Sequence, residues 1–251
     1  MSAETDILED GDNRWDNRTL RLIGPEGVEA LRGASVMVAG LGGVGGYAAE
    51  MLARSGVGEL TLIDADTVAP SNLNRQLIAL RSTLGKPKAL LFAERFHDIN
   101  PEARIHSLVQ YIDSENAATL IEEARPDFVV DAIDTVAPKV RLIQYCQTHS
   151  IRIISSMGAG GRIDPTRIVY ADLWETRDDG LAKAVRTGLR KLGPKMPLPV
   201  VASTERPRSH SLTMIDNTLN KRSAYGTLAT IPSIFGIMLA SHVICALTNM
   251  Q

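Results

Sequence analysis

The glycine run Gly40-Leu41-Gly42-Gly43-Val44-Gly45 constrains the fold more than any other stretch of this chain, because of what surrounds it. It follows the apolar run Ser35-Val36-Met37-Val38-Ala39 directly and opens a helical pattern over Tyr47 to Ser55. A strand, a glycine-rich turn and a helix in that order form a nucleotide-binding fingerprint. Without side chains at Gly40 and Gly42 the backbone turns tightly and phosphates can approach it, while the helix start offers unpaired N–H donors. Glu59 to Asp64 then reads as a second strand, which completes a βαβ unit with parallel strands.

The alternation continues. Pro87 to Ile99 has helical spacing, with proline at its start and Asn100-Pro101 as its stop. Strands are expected at about Arg104 to Val109, Asp127 to Asp131 and Ile151 to Ile154, with a helix over Pro138 to His149. The expected class is α/β: a doubly wound, mostly parallel, Rossmann-like sheet with a smaller C-terminal extension. A chain of 251 residues can bury one such core with an added lobe. The expected division is a flexible acidic tail over 1–13, a nucleotide-binding region over 14–157, and a substrate or dimer region over 158–251 packed on it. Within the last, a strand is expected around Arg167 to Ala171, a short helix at about Leu181 to Leu192, and a polar loop over the site from Ser203 to Arg222.

Charge and cysteine content exclude some classes of protein. Lys plus Arg number 27 against 29 for Asp plus Glu, so no overall positive field marks a nucleic-acid binder and any such surface must be local. The two cysteines, Cys146 and Cys245, lie far apart in apolar surroundings and form no CxxC pair. That pattern suits a reducing, cytoplasmic compartment and no zinc site. The stretch from Thr227 to Thr248 is nearly uncharged, but Pro232, Ser233, Gly236, Ser241 and His242 interrupt it. A buried or interface helix is expected there rather than stable membrane insertion, with contact at a membrane surface left open.

Polar groups cluster where the parallel strands end. Asp64 closes the second strand, where a carboxylate can accept from ribose hydroxyls. Asp66, Ser71-Asn72-Leu73-Asn74-Arg75-Gln76, Gly85-Lys86-Pro87-Lys88 and Asp131-Ala132-Ile133-Asp134 follow. Arg75 and Lys88 suit the charge that builds on an attacked phosphate, and Asp134 suits a magnesium ion bridging phosphate oxygens. Each has a structural alternative: Arg75 as a partner of Asp66, Lys88 as a solvated first-turn lysine, Asp134 as a helix N-cap.

Taken together, these motifs resemble the ubiquitin-activating-type, ThiF-like adenylyltransferases over roughly Arg14 to Ile154. The resemblance implies ATP on Gly40, Gly42, Gly43 and Gly45, with Asp64 and Asp66 near the ribose, Asn72, Arg75 and Lys88 at the phosphates, and Mg2+ on Asp134. It also implies a homodimer in which an N-terminal arginine reaches the neighbouring subunit's ATP. Arg14, Arg18 and Arg21 are candidates, Arg21 before Leu22-Ile23-Gly24 having the best spacing. Arg75, Lys88, Asp134 and Arg21 would then form the catalytic set.

The C-terminal third is similar to the tRNA threonylcarbamoyladenosine dehydratases in Gly158-Ala159-Gly160-Gly161-Arg162-Ile163-Asp164, Val201 to Glu205 and Tyr225 to Gly236. That resemblance implies adenylation of the substrate carboxylate in a tRNA anticodon loop, then ring closure with net loss of water. Lys183, Arg186, Arg190 and Lys191, followed by Lys195, supply a local basic run for tRNA; Arg206, Arg208, Lys221 and Arg222 add a second. Some members carry a cysteine just before the final apolar segment, where this chain has Asn220-Lys221-Arg222-Ser223, so no thiol acts there. The competing readings are adenylation of the C-terminal carboxylate of a ubiquitin-like sulfur carrier or peptide, which would bring a carrier or sulfur-transfer protein as partner, and an NAD-binding protein.

Overall fold

The computed structural model describes residues 14–214 and 223–250; the expected tail over 1–13, and Lys221 and Arg222, lie outside the described residues. Chain order is α1 Asn17–Gly33, β1 Ser35–Ala39, α2 Gly45–Arg54, β2 Glu59–Ile63, α3 Lys88–Ile99, β3 Arg104–Leu108, α4 Ala117–Ala124 and β4 Phe128–Asp131. It continues with α5 Val136–Thr148, β5 Arg152–Ser156, β6 Ile168–Asp172, α6 Gly180–Arg190, β7 Pro199–Ser203, β8 Leu212–Met214, β9 Ser223–Tyr225 and α7 Thr230–Thr248. The main sheet has seven strands in the order β3-β2-β1-β4-β5-β7-β6. All neighbours are parallel except β6, which runs antiparallel to β7 at the edge.

The inner strands β1, β2, β4, β5 and β7 are short runs buried on both faces, and their two-residue period divides the core in two. Val36, Val38, Leu60 and Leu62 join α1, α2, α3 and α7 on one side. Met37, Ala39, Ile63 and Val129 join α4, α5 and α6 on the other. Helices on both faces follow from right-handed crossovers between parallel strands. Order reverses between β2-β1 and β4-β5, so the crevice of this doubly wound sheet opens at the carboxyl ends of β1 and β4.

The C-terminal residues are built into the same sheet: β7 pairs with β5 and carries β6 outward. Helix α7 is long and apolar enough to cross a membrane by length and composition alone. Its Ile231, Phe235, Leu239, Ala240 and Val243 are nevertheless buried in the core. A Cβ on Gly236 would stand 2.3 Å from the Val44 carbonyl oxygen, so only glycine lets α7 press this closely on the start of α2. Leu212–Met214 and Ser223–Tyr225 form a hairpin where a polar loop was expected, and the part of that loop over 215–222 lies outside the described residues.

Glu50 joins two helices on the first face. It is buried on α2 and accepts from Arg95 of α3 at 2.8 and 2.9 Å and from Arg54 at 2.7 Å. Burial by itself would raise its pKa, but the hydrogen bonds from Arg95 and Arg54 prevail and hold it below the ordinary glutamate value. A depressed carboxylate stabilises the fold fully above its unfolded pKa and loses that contribution as pH falls through the folded value. Glu50→Gln is expected to cost about 2 kcal/mol at neutral pH, or roughly 4–8 °C in Tm. In thermal unfolding the gap from wild type should close as pH drops below the ordinary glutamate value of 4.5.

Candidate functional site

The glycine loop leaves β1 between two neighbours that shape it. Gly40 has φ of +87°, and a Cβ there would meet the Ala132 carbonyl oxygen, just past β4, at 3.0 Å. A Cβ on Gly45 would stand 1.7 Å from the Gly40 carbonyl oxygen, which makes the turn specific to glycine at that position. On the other side Asp64, at the end of β2, accepts from the Leu41 N–H at 2.7 Å and from the Asp66 N–H at 2.8 Å. Burial raises the Asp64 pKa, opposed by nearby Lys88 and by these two backbone N–H groups.

The segment from Asp66 to Lys88 closes on itself. Thr67 bridges Pro87, and the Lys88 N–H donates to the Asp66 carbonyl at 3.0 Å. Lys88 is thereby held at the start of α3, only 3% exposed, with its ammonium 2.8 Å from the carboxylate of the exposed Asp66. The alternative of a solvated first-turn lysine does not hold, and it is Lys88, not Arg75, that pairs with Asp66. Arg75 donates to the Ser71 carbonyl at 2.7 Å and to Asn74 Oδ1 at 3.1 Å. Its carbonyl oxygen and Cγ lie 3.4 and 3.5 Å from where a Cβ on Gly43 would stand. Asn72 Oδ1 accepts from the Ala69 N–H at 3.0 Å, so its carbonyl oxygen serves its own turn.

Gln76, to which the sequence gives no role, is 8% exposed, and its Oε1 finds no partner among the described residues. Its amide nitrogen lies 3.8 Å from a Cβ placed on Gly42. An unsatisfied buried amide facing a glycine loop is what a polar ligand would complete.

Beyond β4 a buried ion pair sets the turn that leads to Asp134. Asp131 and Lys139 are both fully buried, 2.8 Å apart. Asp131 also accepts from Ser155 Oγ at 2.6 Å and the Ile133 N–H at 3.1 Å, and Lys139 donates to the Ile133 carbonyl at 3.0 Å. A lysine on the apolar face of α5 was the available sequence signal for this pair. Asp134 follows two residues after Ala132, and the N-cap of α5 is Thr135. Among the described residues no group of three or more metal-ligating side chains occurs. A single carboxylate such as Asp134 fits magnesium that takes its other ligands from phosphates and water.

The N-terminal arginines differ in their surroundings. Arg14 pairs with the buried Asp16 at 3.0 Å, while Arg18 and Arg21 are exposed on α1. The basic run near α6 is not one uniform surface. Arg186 is taken up by the carbonyls of Leu173 and Thr176 and the Thr176 hydroxyl, so it braces the turn after β6. Arg190 and Lys195 each lie 5.4 Å from the centre of the Trp174 ring. Because β6 is antiparallel, Trp174 stands near the amino ends of the parallel strands, opposite the glycine loop. Lys183 is nearer the carboxyl edge, one turn from Asp179, which accepts from the Gly158 N–H at 3.0 Å. A cavity of about 290 Å³ between α4 and α5, lined by Arg141, Tyr145 and His149 among others, takes no residue from the glycine loop.

Glycine backbone, the Asp64 carboxylate, the buried Lys88, Arg75 and the turn leading to Asp134 thus lie at the carboxyl ends of β2, β1 and β4. This arrangement defines a Rossmann-like protein built to hold a nucleotide. The ThiF family profile matches residues 16–251, and the chain belongs to that family. It is 42% identical over 229 residues to the tRNA threonylcarbamoyladenosine dehydratase of Bacillus subtilis, covering 88% of this chain and 90% of that one. The enzyme of the same name from Haemophilus influenzae is 40% identical over 234 residues, covering 89% of each. In structure it matches the Escherichia coli tRNA N6-threonylcarbamoyladenosine dehydratase crystallised with ATP, with a TM-score of 0.84, 34% identity and 97% of each chain covered.

The Asp131–Lys139 pair yields a direct test. Lys139→Met alone strands a buried carboxylate and is expected to cost about 3–5 kcal/mol. Combining it with Asp131→Asn should recover most of that loss in denaturant titrations. A double variant no more stable than the single one would show that the lysine contributes packing instead of charge.

Proposed function

We propose that this chain catalyses the ATP-dependent, cyclising dehydration of threonylcarbamoyladenosine in a tRNA anticodon loop. The observation that carries the reading is the meeting of the glycine loop, Asp64, Lys88, Arg75 and the 132–134 turn on three adjacent strands. It gains weight because the dehydratases match this chain over nearly its whole length.

In this reading Asp64 accepts from the ribose hydroxyls, and the N–H groups at the start of α2 receive phosphate oxygens. The threonyl carboxylate oxygen attacks the α-phosphorus, the bond to the bridging oxygen breaks and pyrophosphate leaves. The neighbouring carbamoyl group then attacks the acyl carbon, closing the ring and releasing AMP. Lys88 exchanges Asp66 for phosphate, and with Arg75 it offsets the charge that develops on phosphorus. Asn72 and Gln76 line the same loop. Asp134 would hold magnesium, which when bound supplies further neutralisation of the phosphates. Arg21 of a second copy completes the site in a homodimer, and Lys183, near the carboxyl edge, meets RNA phosphates, while Arg190 and Lys191 lie toward the far edge of the sheet, where only a more distant part of the tRNA would reach them. The enzyme works in the cytoplasm, with α7 serving the core and subunit contacts.

The deciding experiment incubates modified tRNA with protein, ATP and magnesium and weighs the released nucleosides. Loss of one water from threonylcarbamoyladenosine is the expected result; an unchanged nucleoside from a preparation that still exchanges pyrophosphate would sink the assignment. Lys88→Met should fold, because the Asp66 carboxylate it leaves is 72% exposed. It should slow ATP–pyrophosphate exchange by about 100-fold or more.

A further inference from the structure

Outside the nucleotide site, the Tyr225 ring sits on bare backbone. A Cβ on Gly160 would meet Tyr225 Cβ at 2.7 Å, and one on Gly161 would meet the ring carbon Cδ1 at 2.9 Å and Cγ at 3.3 Å. Two successive glycines therefore form a shelf beneath this ring, which stays 39% exposed. The shelf is rigid. Arg162, itself buried, donates to the Glu205 carbonyl at 2.9 Å and to Asp179 at 3.1 Å. Gly161 donates to the Gly226 carbonyl at 2.9 Å and accepts from the Arg208 N–H at 2.8 Å.

The ring's surroundings indicate what it would hold. Leu212 stands directly opposite Tyr225 in the hairpin and is 40% exposed, and Leu228 is 56% exposed. Arg208, 48% exposed, is tied to the shelf through its backbone and stands 4.0 Å from Glu205, and Arg206, 81% exposed, pairs in solvent with Asp178 at 3.1 Å, so both cations can turn to an incoming phosphate. The surface also joins the nucleotide site. Asn74 donates to the Thr227 carbonyl at 3.0 Å, two residues from Tyr225, and the next residue, Arg75, lies against Gly43. A flat, half-open aromatic ring with cations beside it suits an unpaired nucleobase whose backbone phosphates reach the arginines.

We propose that Tyr225 is a stacking platform for a base of the RNA loop that presents the reacting nucleoside, with Arg206 and Arg208 on the adjoining phosphates. This rests on the reading that the chain acts on tRNA, and supplies the contact that places the loop beside the glycine turn. Stacking needs a π face and not merely bulk, so the substitutions separate the two roles.

The test measures binding of a fluorescein-labelled anticodon stem-loop RNA by anisotropy and of ATP by calorimetry, using the full chain. Tyr225→Ala and Tyr225→Leu should weaken RNA binding by roughly 5- to 100-fold, while Tyr225→Phe stays near wild type and ATP affinity is unchanged in all three. Arg208→Gln should lower the slope of log affinity against log salt by about one. Wild-type RNA affinity in Tyr225→Ala, or equal losses in Phe and Leu, overturns the stacking role alone. A wild-type chain that binds ATP but not the stem-loop overturns the tRNA reading and this inference together.

Discussion

The site depends on how closely the chain passes itself between Gly40 and Gly45. The Gly40 carbonyl lies where any side chain at Gly45 would have to be, and Gly40 in turn abuts the Ala132 carbonyl. These approaches bring the start of α2 down onto the ends of β1 and β4, so its free N–H groups face the crevice. The Asp64 carboxylate then ties the loop down from the other side through the Leu41 N–H. One side chain thus orders the loop and keeps a carboxylate beside it.

Buried charges surround this turn in a consistent way. Lys139 with Asp131, and Arg162 with Asp179, are buried pairs, and each spends its remaining donors on backbone carbonyls at the carboxyl edge of the sheet. Taking such groups out of water is costly unless every polar atom is satisfied. What they contribute is definition of turns that carry no regular structure. Lys88 differs, because the lysine is buried while its partner Asp66 is exposed to solvent. Asn74 continues the chain of contacts from the glycine loop toward the Gly160–Gly161 shelf, so two surfaces far apart in sequence are joined by a hydrogen bond.

Much of this architecture was legible in the chain. The strands from β1 to β6 and helices α2, α3, α5 and α6 stand within a residue or two of their expected places, because their apolar runs and glycine or proline boundaries are local signals. The strand β7 was missed, since its five residues open on a proline and follow a proline-rich turn. The strand Leu212–Met214 falls within the polar stretch from Ser203 to Arg222 that reads as loop, since its pairing with Ser223–Tyr225 spans chain that carries no period of its own. Asp64 and Lys88 stand out in the sequence by residue type at the end of a strand and the start of a helix, whereas Gln76 and Lys139 are distinguished by burial alone. Arg186 was placed on an RNA surface; only the fold shows its guanidinium occupied by the turn after β6.

The sequence by itself determined the order of elements, the parallel doubly wound class and the glycine turn, since these follow from local periodicity and from steric rules that act within a few residues. Tertiary structure alone decided which charged groups are partners, which face of α7 is buried, and that Tyr225 lies on a glycine shelf connected to the nucleotide loop. The physical reason is distance along the chain. Desolvation and pairing energies depend on neighbours dozens of residues away, and no local pattern encodes them before the sheet has brought those neighbours together.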